Sequence, residues 1–339
     1  MGDCMMVSYI IKRLFFMIPV MIALSFICFM VINAAPGDFV DTYKAKLMSR
    51  QMSSVQREAQ LKFIDKMRSS YGLDQPLLYQ YGKWVWKIVS KGDFGYSFSA
   101  GRPVAELIWE KMGWTVLLAS LSMAVTLILG VVIGLYSAVH QYSFLDRLFS
   151  FLAFLGLSIP TFFLALLIMA ILVFTFRVQS IGGLFSSQFA TAPWSWAKLA
   201  NLLQHLWVPV VVIAAGGTAS NIRIVRANIL DILRQPYIQT ARAKGLRERV
   251  VTYRHALRNS LHPMIMIIGT SLPVLISGET ITSIVLGLPT VGYTFYIALK
   301  EQDIYLAGTF LLLSALLLQV GNLLADLALT YVDPTISYD

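Results

Sequence analysis

Seven stretches with no Asp, Glu, Lys or Arg constrain this chain more than anything else in it: 14–37, 112–145, 148–176, 199–222, 259–278, 280–299 and 304–325. An apolar helix of about 20 residues crosses a hydrocarbon layer of about 30 Å. No water reaches the backbone there, so a spanning segment must satisfy its own N–H and C=O groups, and a helix does this internally. The runs 259–278 and 280–299 are separated only by Glu279, and Gly287-Leu288-Pro289 reads as a turn. These two runs therefore count as one span followed by a loop. The reading is six spans, near 10–34, 112–138, 148–176, 204–227, 264–287 and 305–331. Lys12 and Arg13 precede the first run as they would in a signal peptide. Its length exceeds a signal h-region of roughly 7–15 residues, so it reads as a retained span.

Charged residues make up 13% of the chain, against about 25% in a soluble domain. A chain this poor in charge cannot cover a soluble surface. The net charge of +9 would suit nucleic acid in a soluble protein; here its distribution gives a different reading. Most charges fall in two windows, 38–111 and 223–258. Lys12, Arg13, Arg147 and the basic residues of 223–258 share one side of a six-span chain. Arg177, Lys198 and Lys300 flank the other. Basic residues in short flanks stay in the cytoplasm, so the termini and the 223–258 loop read as cytoplasmic. The 38–111 loop reads as extracytoplasmic, since long loops cross largely regardless of charge. No nucleic-acid partner is expected. Cys4, Cys28, His140, His205, His255 and His262 are not spaced like metal ligands.

The domain reading is 1–37 for the N-terminus and first span, 38–111 for an outer cap, and 112–339 for a five-helix core carrying a cytoplasmic loop at 228–263. In the cap, Leu77, Tyr81, Trp84, Val85 and Ile88 recur at helical spacing. Gly72, Pro76, Gly92 and Gly95 punctuate it. It reads as folded: a lid packed on the membrane part, a platform for an outside partner, or both.

In the cytoplasmic loop, Ala241 and Ala243 precede Gly245, and Val250, Tyr253, Ala256 and Leu257 follow at three- to four-residue spacing. This predicts helix, Gly turn, helix, with Arg247, Arg249, Arg254 and Arg258 facing outward. Three pieces of this stretch stand in order: Arg223-Ile-Val-Arg226, Tyr237-Ile-Gln-Thr-Ala-Arg-Ala-Lys-Gly245, and Arg254-His-Ala-Leu-Arg-Asn259 followed by Pro263. Further pieces lie outside it: Lys12-Arg-Leu, Ala35-Pro-Gly-Asp38, Tyr71-Gly-Leu-Asp-Gln-Pro76, Gly92-Asp-Phe-Gly-Tyr-Ser97, Asn322-Leu-Leu-Ala-Asp326 and Tyr331-Val-Asp-Pro334. Together they resemble ABC importer permeases with an EAA coupling loop. The closer resemblance is to the first permease subunit of the peptide/nickel (dipeptide- and oligopeptide-type) import family. Two departures stand out in the loop: Gln239 occupies the glutamate position, and Pro236 replaces an acid. After the fifth span, Ser283, Leu286 and Pro289-Thr290 stand where the family has an acid, an aromatic and Pro-Gly.

The resemblance implies an all-α membrane protein of six transmembrane helices, a type I ABC importer permease with an extracytoplasmic cap between helices 1 and 2. It implies a bacterial inner membrane location and partners: a second related permease, two ATPase subunits and an extracytoplasmic substrate-binding protein. ATP and Mg would be bound by those ATPases, and this chain has no GxxxxGK[ST] phosphate loop. Gln239, Thr240, Ala241, Ala243, Gly245, Arg247 and Arg254 would carry the coupling to ATP hydrolysis.

For the translocation path, Ser158, Gly217, Ser277 and Glu279 are the candidates, with Pro160, Gly216 and Gly278 beside them. An acid inside an apolar span is costly and usually faces an interior or a water-filled path, which marks Glu279. Gly130 and Gly134 form a GxxxG that fits close helix packing. Asp326 is read as a structural acid placed to pair with Arg223 or Arg226. No catalytic residue is expected, since no Ser/His/Asp set is visible. A secondary transporter would need internal repeats and coupling-ion sites, and no repeat is visible. Oligopeptide is the expected substrate, with oligosaccharide the alternative.

Overall fold

The computed structural model describes residues 2–33, 48, 53–71, 75–97, 99–178, 182–277 and 280–332. The apolar runs fold as helices, in the order α1 (Gly2–Asn33), α2 (Ser54–Tyr71), α3 (Leu77–Lys91), α4 (Val104–Val139), α5 (Phe144–Ser158), α6 (Thr161–Phe174), α7 (Ser187–Ala190) and α8 (Trp196–Leu233). Then come α9 (Pro236–Ala243), α10 (Glu248–Val250), a π-helical stretch Val251–Ala256, α11 (Leu257–Ser260), α12 (His262–Ser277), α13 (Thr280–Leu286), α14 (Val291–Lys300) and α15 (Ile304–Val332). Between α3 and α4 lies a small antiparallel hairpin, β1 (Tyr96–Ser97) and β2 (Arg102–Pro103), in register Tyr96↔Pro103.

Among the described residues, four helical stretches are long and apolar enough to cross a membrane unbroken: Tyr9–Asn33, Val104–Val139, Trp196–Leu233 and Ile304–Leu329. The third expected span, 148–176, is instead two helices, with α5 and α6 bent 107° apart. The break is at Ile159-Pro160. Proline lacks an N–H and pushes the residue before it out of the α region, and Ile159 sits at φ −90°, ψ 121°. Within the fifth expected span lie α12 and α13, while Gly278 and Glu279 fall outside the described residues. The turn at Gly287 is present, with φ +63°, but the expected loop after it is the helix α14. That segment holds no proline, and it buries Val291, Gly292 and Ala298.

The chain forms two compact units, 1–113 with 291–319, and 114–290 with 320–339. In the first, cap residues Ile64 and Trp84 share a buried cluster with Phe29 of α1, Val104 and Ile108 of α4, and Tyr305 of α15. Trp84 stacks on Phe29 at 5.5 Å and its Nε1–H donates to the Phe94 carbonyl at 3.0 Å. Tyr81 hydrogen-bonds Ser25 of α1 at 2.7 Å. The expected apolar stripe on α3 needs one correction. Leu77 is exposed, and Gln80 takes a buried place, with its Nε2 donating to the Gln75 carbonyl at 2.8 Å.

Asp303 joins the hairpin to the start of α15. Its Oδ1 accepts from the Leu306 N–H, capping that helix. Its Oδ2 accepts from Ser97 Oγ at 2.7 Å, Ser99 Oγ at 2.9 Å and the Ser99 N–H. Burial pushes its carboxyl above the ordinary value, the bonds from Ser97 and Ser99 acting against that rise. A carboxyl raised in the folded state favours folding most at acid pH, and that contribution is lost as the pH rises through its native value. Asp303→Ala removes the acceptor of four donors; the two buried ones, on Ser97 and Leu306, cost about 1–3 kcal/mol each before relaxation. Faster protease cleavage within 75–103 is expected, with cleavage elsewhere unchanged. Unchanged cleavage there would show that the contact does not hold the hairpin.

In the second unit, one cluster gathers Leu118, Ala165, Leu184, Leu202, Leu206 and Leu286, and another gathers Leu135, Val225, Ile229 and Met264. Gly130 and Gly134 are where α4 meets α8. A Cβ at these positions would lie 2.6 Å from Asn221 Cβ and 2.8 Å from Val225 Cβ. The GxxxG is therefore a helix-packing face. Lys198, counted above among the outer flanking charges, is buried. Its ammonium lies 5.0 Å from the Phe185 ring and 5.3 Å from the Trp194 ring and donates to the Ala192 carbonyl. The aromatic faces and one carbonyl replace the water it has lost. At the C-terminal end of α13, Ser283, Leu286 and Thr290 are all buried, and the Leu286 carbonyl accepts from the Gly183 N–H at 2.7 Å. The three family departures sit in a packed turn.

Candidate functional site

The stretch 236–260 folds as a small body with its own core. Pro236 opens α9 at the first helical position, where its fixed φ suits the helix and its missing N–H costs nothing. Gly245 closes the helix in the left-handed region, at φ +76°. The Gly245 N–H donates to the Arg242 carbonyl at 2.9 Å, and the Leu246 N–H to the Ala241 carbonyl at 3.3 Å. This pair of bonds is the Schellman stop, which uses glycine because its lack of a Cβ makes that conformation cheap. Across the turn, Arg242 Nε donates to Glu248 Oε1 at 2.8 Å.

The chain then returns through α10, the π-helical stretch and α11. Val251 and Ala256 from this arm pack on Ile238 and Ala241 of α9. Asn259 Nδ2 donates to the Tyr237 hydroxyl at 2.9 Å and closes the far end. Ile232 and Leu233, at the end of α8, pack on the same small core. The helix, Gly turn and helix expected from the sequence are thus held together as one piece, fixed to the end of a long helix.

Gln239, Thr240, Ala243, Gly245, Arg247 and Arg254 are exposed on this body, and Ala241 is turned into its core. Arg249 and Arg258 are exposed as well. Gln239 Nε2 reaches the Leu233 carbonyl at 3.4 Å, and Thr240 Oγ1 donates to the Pro236 carbonyl at 3.0 Å. The outward face thus combines small residues at the turn with a row of arginines.

Sequence reading missed the anchor above this body. Arg226, on α8, donates from Nε and Nη2 to the two oxygens of Asp146 on α5, each at 3.0 Å. Asp146 also accepts from the Tyr142 N–H at 2.9 Å, and Ser143 caps its helix. The expected pairing of Arg226 with Asp326 gives way to this fork. Arg223 lies over the Phe154 ring at 5.3 Å. The one available signal was that Asp146 is the only acid between 112 and 176.

The path candidates are dispersed. Ser158 ends α5, exposed, with its hydroxyl donating to the Phe154 carbonyl at 2.8 Å. Gly217 lies on α8 opposite Thr126, whose Cγ2 would stand 3.0 Å from a Cβ added there. Ser277 ends α12, and Glu279 lies outside the described residues. Among the described residues, no three His, Cys, Asp or Glu side chains come together in a way that would hold a metal ion.

Several long apolar helices, two packed units and a compact loop body fixed to the end of a span define a multi-pass membrane permease. The chain belongs to the family described as the binding-protein-dependent transport system inner membrane component, which it matches over residues 130–338. Residues 6–119 match that system's N-terminal membrane component. The chain is 34% identical over 336 residues to the oligopeptide transport system permease protein AppB of Bacillus subtilis (strain 168), covering 98% of this chain and 100% of that one. It is 33% identical over 335 residues to a putative peptide permease protein of Brucella suis biovar 1 (strain 1330), covering 98% and 99%. It is 29% identical over 352 residues to the dipeptide transport system permease protein DppB of Alkalihalophilus pseudofirmus, covering 98% and 100%. This chain is thus a membrane permease of an inner-membrane transport system that depends on a binding protein.

Proposed function

We propose that this permease imports oligopeptides, powered by ATP hydrolysed on separate cytoplasmic subunits. The observation that carries the coupling half is the self-contained body 236–260, fixed to α8 through Ile232 and Leu233. A rigid body at the end of a span transmits displacement, where a flexible loop would absorb it. In this reading the body sits in a groove of one ATPase. Gln239, Thr240, Ala243 and Gly245 meet that groove, and Arg247 and Arg254 lie along its edge. Ala241 acts from inside by letting the two arms close. ATP and Mg belong to the ATPase pair, whose closure moves the body and reorients the spans. A second, related permease completes the path, with the exposed Ser158 of this chain beside it and Ser277 and Glu279 as the further candidates.

Both termini and the 236–260 body are cytoplasmic in this reading. The 38–111 segment, with the rest of 112–339 as the permease core, is the outer scaffold that receives the loaded binding protein. The peptide substrate is supported by the names of relatives that align with nearly the whole chain. The test is reconstitution of the complete importer in liposomes with its binding protein and labelled peptides of two to five residues. Uptake that requires ATP is expected. Uptake of a labelled oligosaccharide in place of peptide, or peptide uptake without ATP, would overturn the reading.

A further inference from the structure

We propose that Arg223 is a carboxylate-binding subsite on the substrate path, which takes the C-terminal carboxylate of a peptide in transit. This rests on the peptide-import reading above and adds a residue and a chemical group to it. The site is a cavity of about 580 Å³ lined by Ser150 and Phe154 of α5 and by Ser220, Arg223 and Arg226 of α8. The two helices run antiparallel in close contact: Asp146 meets Arg226, Phe154 meets Arg223, and Gly156 meets Ala219.

Two arginines line this cavity, and one acid answers them. Asp146 gives both oxygens to Arg226. Arg223 has no ion-pair partner among the described residues, and only the Phe154 ring sits against it. The ring contact is apolar and takes up none of the guanidinium's N–H donors. A guanidinium matches a carboxylate in two parallel bonds. The Ser150 and Ser220 hydroxyls line the same cavity and can donate to the remaining lone pairs.

Arg223 is exposed in the single chain and lies near the end of the expected 204–227 span. Arg223 lies ten residues before the end of α8, about 15 Å along the helix, inside a stretch apolar enough to span a membrane. A cation there is costly and normally faces an interior or a water-filled path. A peptide in transit brings one negative group whatever its side chains. A subsite for that group would serve many sequences.

The test uses the complete importer in liposomes of phosphatidylcholine alone, so that no anionic lipid is present. Initial uptake is compared for a tripeptide and its C-terminal carboxamide, each saturating the binding protein. Wild type is expected to prefer the free acid about tenfold, the worth of one charge-assisted hydrogen-bond pair. Arg223→Gln is expected to bring the ratio near one, and Arg223→Lys to leave it in between. Ser150→Ala with Ser220→Ala is expected to lower it two- to threefold. A wild type that takes both equally overturns the subsite. So does an Arg223→Gln importer that keeps the preference, or one that loses both substrates in proportion, which would mark Arg223 as structural. Absence of peptide uptake by wild type would overturn the import reading itself, before any variant is compared.

Discussion

Gly245→Val is expected to cut ATP-driven uptake by the assembled importer at least tenfold while leaving the chain in the membrane at its normal level. Gly245 adopts φ +76°. A non-glycine residue in a sparsely populated region of that kind costs on the order of 1–3 kcal/mol, and a branched Cβ is the worst case. A Cβ at Gly245 would meet no atom within 4 Å, so the penalty is conformational and not a clash. The chain can escape it only by opening the turn. That would break the bonds from the Gly245 and Leu246 N–H groups to the Arg242 and Ala241 carbonyls. The two arms would then separate, and the body would lose the stiffness that the proposed coupling requires. Gly245→Asn is expected to stay close to wild type, since Asn tolerates this region. Uptake and ATP hydrolysis measured on the same reconstituted samples decide the matter. Normal uptake by the valine variant would show that the turn is not what transmits the stroke.

Asp146→Ala is expected to destabilise the second unit by about 2–3 kcal/mol. Breaking a buried ion pair from one side costs roughly 3–5 kcal/mol, because the surviving charge has no partner. The lower figure applies here because Arg226 keeps 29% of its side chain exposed while Asp146 keeps 4%. Asp146 also holds the Tyr142 N–H, and Tyr142 sits at φ +62°, so its loss frees a strained turn as well. Arg226→Leu combined with Asp146→Ala is expected to recover most of the loss. Thermal unfolding of the four proteins in detergent gives the coupling energy. A coupling near zero would mean that the fork seen between α5 and α8 contributes nothing net.

The two sites differ in how they could be read from residues alone. The 236–260 body is local: Pro236, Gly245 and the apolar spacing of 250–257 all act within 25 residues. The Asp146–Arg226 pair joins residues 80 positions apart, and no periodicity encodes that distance. Asp326 was as good a candidate in one dimension, and only the packing of α5 on α8 chose between the two acids.

Proline shows the same limit. Pro19 and Pro209 lie inside unbroken helices, α1 and α8, whereas Pro160 separates α5 from α6. A membrane helix tolerates proline when its neighbours satisfy the freed backbone groups. The residue type is therefore the same in all three places, and its consequence depends on what surrounds it. Lys198 is another case: as a letter it is a flanking charge, and in the fold it is a buried cation between Phe185 and Trp194.

The sequence by itself determined that the chain is helical and lives in a bilayer. Charge exclusion over helix-length runs leaves no other solution for a backbone without water. It also determined that a helix, glycine turn and helix follow the fourth long run. Tertiary structure decided which of these segments bend, which acid answers which arginine, and which alanine faces inward. Those outcomes depend on contacts between side chains distant in the chain, and such contacts exist only once the helices have packed.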